Sequence, residues 1–159
     1  MYGLLADKRR MVLWSDAAQL NSLGLKSRDI EFLQQAIPQT LPLSAVSSEQ
    51  IWKDRKQWVF KPITSHASRG VYVGNKLTKG KLAELNPDNT LIQQHFPPSN
   101  TSINENLTFK TDFRLFAYRN QILALSARLY QGQVTNLRTE NGGFAKVQLR
   151  DEKGEFEIN

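Results

Sequence analysis

Cysteine is absent from this 159-residue chain. That excludes disulfides, a thiolate-bound zinc and a thiol nucleophile. Histidine occurs only twice, at His66 and His95, without a nearby metal-ligand partner, so a histidine-built metal site is disfavoured as well. No stretch of about 18 apolar residues occurs, so no membrane-spanning helix is expected. The opening MYGLLADKRRMVLW carries charge inside what would be the apolar part of a signal peptide, and it does not read as one. Cytoplasm is therefore the default location. No internal repeat is visible.

What is present points to a folded, basic protein. Hydrophobic residues make up 40% of the chain, enough for a globular core rather than a disordered segment. The formal net charge is +6 and the pI about 9.7. Such a balance suits anionic partners: nucleotide phosphates, nucleic acid or acidic peptides. The basic residues are dispersed and the aromatics sit in apolar runs, which disfavours a nucleic-acid-binding module.

Apolar spacing predicts a helix over 7–24, with Asp7 as N-cap and Gly24 as stop. A second helix is expected near 28–36 and is closed by Pro38. Residues 38–50, rich in Ser, Thr and Pro, read as an ordered loop. The period then changes. Residues 57–61 and 70–74 read as strands around the small, polar loop PITSHASR. A short helix is expected over 78–85 and a strand over 90–96. Residues 97–110 read as a polar hinge. TDFRLFAY and ILALSARLY, joined by RNQ, read as a β-hairpin, and 150–159 as a flexible tail. The expected fold is α+β with mostly antiparallel strands.

Several residues could carry chemistry. Lys61 ends a hydrophobic strand just before a loop of small residues, where a lysine can present a point charge to phosphate. Ser68, Arg69 and Gly70 follow; Gly70 permits close backbone approach and Arg69 adds charge. The spacing is not that of a Walker A loop, and a plain surface lysine is the competing reading. His66 lies in the same loop. In IQQHF, the strand could read an adenine through its backbone and the Gln94 amide, with Phe96 packing on the base; simple core packing is the alternative. Asp112 and Arg114 share a strand face because they are two apart. A three-residue loop at 119–121 puts Asp112 opposite Arg128, whereas a two-residue loop turns Arg128 to the other face. In the first case two arginines and a carboxylate converge, and arginine binds phosphoryl or carboxylate oxygens through paired N–H groups. Asn136, Arg138 and Gly142-Gly143 follow in a loop able to fold over an anion.

In this order, these pieces resemble the ATP-grasp enzymes across roughly 6–147. Asp7-Lys8 fits that family's first lysine, Ile37-Pro38-Gln39-Thr40 its Ile-Pro-x-Thr, and Lys61 its second lysine. Ser65 to Gly70 fit the small-residue loop. Gln93-Gln94 stand at the hinge, followed by His95 and Phe96, with glutamine where glutamate is usual. Asp112-Phe113-Arg114, Arg128, Asn136 and Gly142-Gly143 complete the series. The RLYQGQ and TNLRTENGGF segments are similar to the circularly permuted, glutathionylspermidine-synthase-like branch.

The resemblance implies two small α+β lobes, 1–96 and 105–149, with a nucleotide cleft between them. It implies ATP and Mg2+ as cofactors. The reaction would be ATP-dependent joining of a carboxylate to an amine or similar nucleophile through an acyl phosphate. Lys8, Lys61, Ser68, Arg69, Gly70, Gln94, His95, Phe96, Asp112 and Asn136 would hold the nucleotide, and Arg114 and Arg128 would be catalytic. The family's metal-binding Glu-x-Asn has no well-placed counterpart. Glu157-Ile158-Asn159 spell it but come too soon after Gly142-Gly143, so no metal ligand is assigned. A fragment of a larger enzyme, or a relative that binds nucleotide without turnover, is the expected alternative.

Overall fold

The computed structural model describes residues 7–65 and 68–149. Two compact units divide between Phe96 and Pro97. The described helices all belong to the first unit, and each unit carries one four-stranded antiparallel sheet. No described helix is long and apolar enough to cross a membrane.

The first unit opens on two short helices, α1 (Arg10–Trp14) and α2 (Ala17–Ser22), where one helix over 7–24 was expected. The reason is local. Asp16 leaves helical geometry and its carboxylate accepts from Gln19 N at 3.0 Å, which starts a new helix in mid-segment. Gly24, with φ +82°, ends α2 as expected. α3 (Ser27–Ala36) buries Ile30, half-buries Leu33, and stops before Pro38.

Residues 38–50 carry regular elements where a loop is expected. They hold β1 (Thr40–Pro42) and the start of α4 (Ser48–Asp54), where Ser47 Oγ accepts from Gln50 N at 3.2 Å. β1 was invisible because its apolar pattern is too short and its partner lies some fifty residues on. β2 (Trp58–Pro62), β3 (Tyr72–Val73), α5 (Lys79–Ala83) and β4 (Thr90–Gln94) follow. The sheet order is β1-β4-β2-β3.

Strand alternation sorts this sheet into two faces. Phe60 and Ile92 lie directly opposite each other and point into a core with Leu43, Ile51 and Leu77. The neighbours one residue away, Val59, Lys61, Leu91 and Gln93, point to the other side. The apolar face thus fixes the register, and the register fixes where Lys61 stands.

The second unit is a meander of β5 (Ser99–Asn104), β6 (Leu107–Tyr118), β7 (Gln121–Tyr130) and β8 (Gly143–Lys146), in that spatial order. The expected hinge over 97–110 is therefore largely strand. β5 is exposed along its whole length, so no apolar alternation marks it. Hydroxyl pairs hold it to β6 instead: Thr101 with Thr111 at 2.6 Å and Ser102 with Thr108 at 2.9 Å. Phe109, Ala127 and Tyr130 are buried.

Candidate functional site

Lys61 stands next to the point where β2 gives way to the small-residue loop. Its ammonium donates to Gln93 Oε1. The other end of that amide donates to Thr40 Oγ1 at 2.9 Å, and Thr40 Oγ1 in turn donates to Pro38 O at 2.9 Å. The chain of donors runs one way, from Lys61 to the Pro38 carbonyl. It fixes the Gln93 amide with oxygen toward the lysine, since an ammonium can only donate. Gln93 and Thr40 are both buried.

Lys8 reaches the same place from the other end of the unit. Its ammonium donates to Pro62 O at 2.9 Å and Ser65 O at 2.5 Å, with Ile63 O at 3.4 Å. It therefore clamps the backbone where the loop leaves the strand. Ser15 places this segment: its Oγ accepts from Thr40 N at 3.1 Å, tying the end of α1 to β1.

Both lysines feel this environment. Burial holds the Lys61 ammonium below the ordinary lysine pKa, and the positive charge of Lys8 lowers it further. Burial lowers Lys8 as well, partly offset by Asp7. Among the described residues, no carboxylate lies within ion-pair distance of either ammonium. Two like charges are thus held in one neighbourhood, and the oxygens they donate to are all neutral.

Beyond Pro62, Ser65 Oγ donates to Arg69 O at 2.5 Å and Val71 N to Ser68 O at 3.3 Å. Ser68 has φ +58° and Gly70 φ +69°. His66 lies outside the described residues. A Cβ on Gly70 would stand 3.1 Å from Pro62 Cγ in a backbone conformation that costs L-residues about 1–2 kcal/mol. Gly70→Ala should therefore lower stability by about 1–2 kcal/mol and weaken binding of any anion held on this loop; chemical denaturation beside calorimetry with ATP checks both.

At the end of β4, Gln94 and Phe96 line a cleft of about 360 Å³ with Gln34, Pro38 and Gln39. Phe96 is 62% exposed, so its ring is not held in a core. Gln94 N donates to Gln39 O and His95 N to Gln57 O, each at 2.8 Å. The amide beside Lys61 is that of Gln93; the Gln94 side chain is exposed.

In the second unit Asp112 does lie opposite Arg128. The route is unexpected. The hairpin turn has two residues, Arg119 and Asn120, which by itself would turn Arg128 to the other face. A bulge next to Ala117 restores the register: Ala117 pairs Ile122 while Phe116 pairs Ala124, leaving Leu123 extra. Arg119, with φ +53°, makes the tight turn. Arg128 Nε donates to Asp112 Oδ1 at 2.5 Å, and Thr135 Oγ1 donates to Asp112 Oδ2 at 3.1 Å. Arg114 is on the same face, opposite Ser126, with its guanidinium 6.0 Å from the Phe116 ring centroid. Asn136 Oδ1 accepts from Arg138 N at 3.0 Å, so its side chain shapes its own turn. Glu157 and Asn159 lie outside the described residues. Among the described residues, no group of three or more His, Asp or Glu could hold a metal ion.

A partly buried lysine pair at a small-residue loop, and in the other unit an antiparallel ribbon with an Asp-x-Arg strand, are features a nucleotide-binding module can use. The ATP-grasp domain family matches residues 26–151, most of the chain, and the chain belongs to that family. Lys61, Gln93, Asp112, Arg114, Arg128 and Asn136 fall inside the match, and Lys8 precedes it. A search among curated proteins found no match.

Proposed function

We propose that this chain is the ATP-binding module of an ATP-dependent carboxylate–amine ligase. One observation carries the reading: Lys61 and Lys8 share a partly buried neighbourhood in which no described carboxylate is ion-paired with either, and Asp7, whose charge reaches Lys8, is itself paired with Arg9. A polyphosphate supplies that missing negative charge. Lys61 is assigned to the phosphate chain. Lys8 holds the loop backbone in shape and adds its charge. Ser68, Arg69 and Gly70 form the loop that approaches the phosphates, and Gln94, His95 and Phe96 are assigned to the base. In the second unit Asp112 and Asn136 order the ribbon and its loop, and Arg114 and Arg128 are assigned a phosphoryl oxyanion.

In the reaction a carboxylate oxygen attacks the γ-phosphorus of ATP, and the bond from that phosphorus to the β–γ bridging oxygen breaks, releasing ADP. The amine nitrogen then attacks the acyl carbon, phosphate leaves, and the nitrogen loses a proton. The chain's part is electrostatic: fixed cations facing charge that moves between oxygens. Among the described residues no group of three or more His, Asp or Glu could hold a metal ion, and Asp112 is engaged by Arg128 and Thr135. Magnesium would accompany ATP, with the phosphates supplying most of its oxygen ligands. Cytoplasm, where ATP is supplied, is the compartment this reading takes.

A second reading is nucleotide binding without turnover. Phosphate release across candidate acids and amines separates the two; ATP binding with no release for any pair would leave binding alone. Binding itself has a proton signature. A phosphate beside Lys61 favours its charged form, so at alkaline pH below 10.5, the ordinary lysine value, ATP binding should take up protons. Calorimetry in buffers of different ionisation enthalpy reads this, and equal heats in all buffers would remove Lys61 from the phosphate site.

A further inference from the structure

The sheet face that carries Asp112 and Arg114 also holds Lys110, Arg128 and Lys146. β8 pairs with β7 so that Ser126 lies opposite Lys146, while Ser126 also lies opposite Arg114 on β6. The three therefore form one row across three strands: Arg114, Ser126, Lys146. The next row is Asp112, Arg128, Phe144.

These cations are not equivalent. Arg128 is engaged by Asp112. Lys110 donates to Gly132 O. Arg114 and Lys146 are exposed, and neither has a carboxylate within ion-pair distance among the described residues. Strand spacing sets their backbones about 10 Å apart, within joint reach of one anion by two long side chains. Between them, Ser126 Oγ is buried and has no hydrogen-bond partner. A buried hydroxyl without a partner is uncommon and calls for explanation.

We propose that Arg114 and Lys146 bracket a phosphoryl-oxyanion site over Ser126, with Lys146 as a binding residue of the second unit. The site rests on the ligase reading for its role but not for its existence. Arginine supplies the fork that matches two phosphate oxygens, and lysine closes the other side as a point charge. Asp112 keeps Arg128 oriented at the margin, so the net charge of the two rows stays positive.

The test titrates inorganic pyrophosphate into the full-length, isotope-labelled chain while following backbone amide resonances. Saturable shifts at Ser126, Arg128 and Lys146 are expected. Lys146→Gln should weaken that response about fivefold or more, and Lys146→Arg should restore it, because the contact is one of charge. Circular dichroism confirms that each variant is folded. Absence of saturable shifts at these amides, or an unchanged affinity in Lys146→Gln, would overturn the site. So would citrate binding as well as pyrophosphate, which would make it a carboxylate site. A single-stranded oligonucleotide binding there more tightly than pyrophosphate, with affinity falling steeply in salt, would equally overturn it. ATP binding that depends on Lys61 is measured separately. Its loss in wild-type protein would sink the nucleotide reading and leave the pyrophosphate result standing.

Discussion

Lys61→Met should lose roughly 10- to 100-fold in ATP affinity while remaining folded. The loss corresponds to one charge-assisted hydrogen bond, about 1.5–3 kcal/mol. Stability responds to two opposing changes. Methionine leaves Gln93 Oε1 without its donor, which costs about 1–3 kcal/mol for a buried acceptor. It also removes an ammonium that burial and Lys8 both disfavour. The two changes offset each other, so Tm should move little. The pH profile isolates the second change. The folded pKa of Lys61 lies below its unfolded value, so between the two the unfolded chain binds more protons. Wild-type stability therefore rises as pH climbs through that interval toward 10.5. The variant should lack its share of that rise. Calorimetry with ATP and denaturant melts across alkaline pH check both halves, and ATP affinity equal to wild type would end the assignment of Lys61.

Gly74→Ala should be far more damaging, and to the fold rather than the site. Gly74 is buried in the turn after β3. Its φ is not in the left-handed region, so the difficulty is space. An added Cβ would collide with Arg55 O and stand 2.6 Å from Arg55 C and 2.9 Å from Trp58 O. All three are backbone atoms and cannot rotate away. Arg55 is further fixed by its guanidinium, which stacks 3.7 Å from the Trp52 ring centroid. Relief requires the turn before β2 to part from the turn after β3, which breaks the Val59–Val73 pairing and pulls at buried Leu77. The expected loss exceeds about 4 kcal/mol, a large part of the roughly 5–15 kcal/mol that holds a typical domain. Thermal melting should show a Tm drop of the order of 20 °C or no cooperative transition. Gly80→Ala is the control: nothing lies within 4 Å of its Cβ, and it sits in α5. It should leave Tm unchanged or raise it slightly, since alanine favours helix by about 1 kcal/mol. A Gly74→Ala protein that melts like wild type would show that the β2 and β3 turns can separate freely.

The sequence by itself determined the elements whose signals are local. α3 has helical spacing and a proline stop. β2 and β4 have short apolar runs, and the β6–β7 hairpin has two such runs around a polar turn. It also placed Lys61 at a strand end and ordered the motifs that mark the family. It was silent where stabilisation comes from distant partners. β1 is three residues that make sense only beside β4. β5 has no apolar face and depends on hydroxyl pairs with β6. The break at Ser15-Asp16 was in principle legible, since Asp followed three residues later by Gln is a capping pattern.

The candidate site divides along the same line. Sequence could name Asp112 and Arg128 and make their meeting depend on loop length. Only the tertiary structure showed a two-residue turn corrected by a bulge. It also revealed Gln93 as the partner of Lys61 and Lys146 as the third strand's cation, because strand pairing joins residues 32 and 20 positions apart. Sequence spacing sets which residues share a face within one strand. Which strands lie side by side is decided by burying Phe60, Ile92 and Phe109, and the chemistry on the opposite faces follows from that packing.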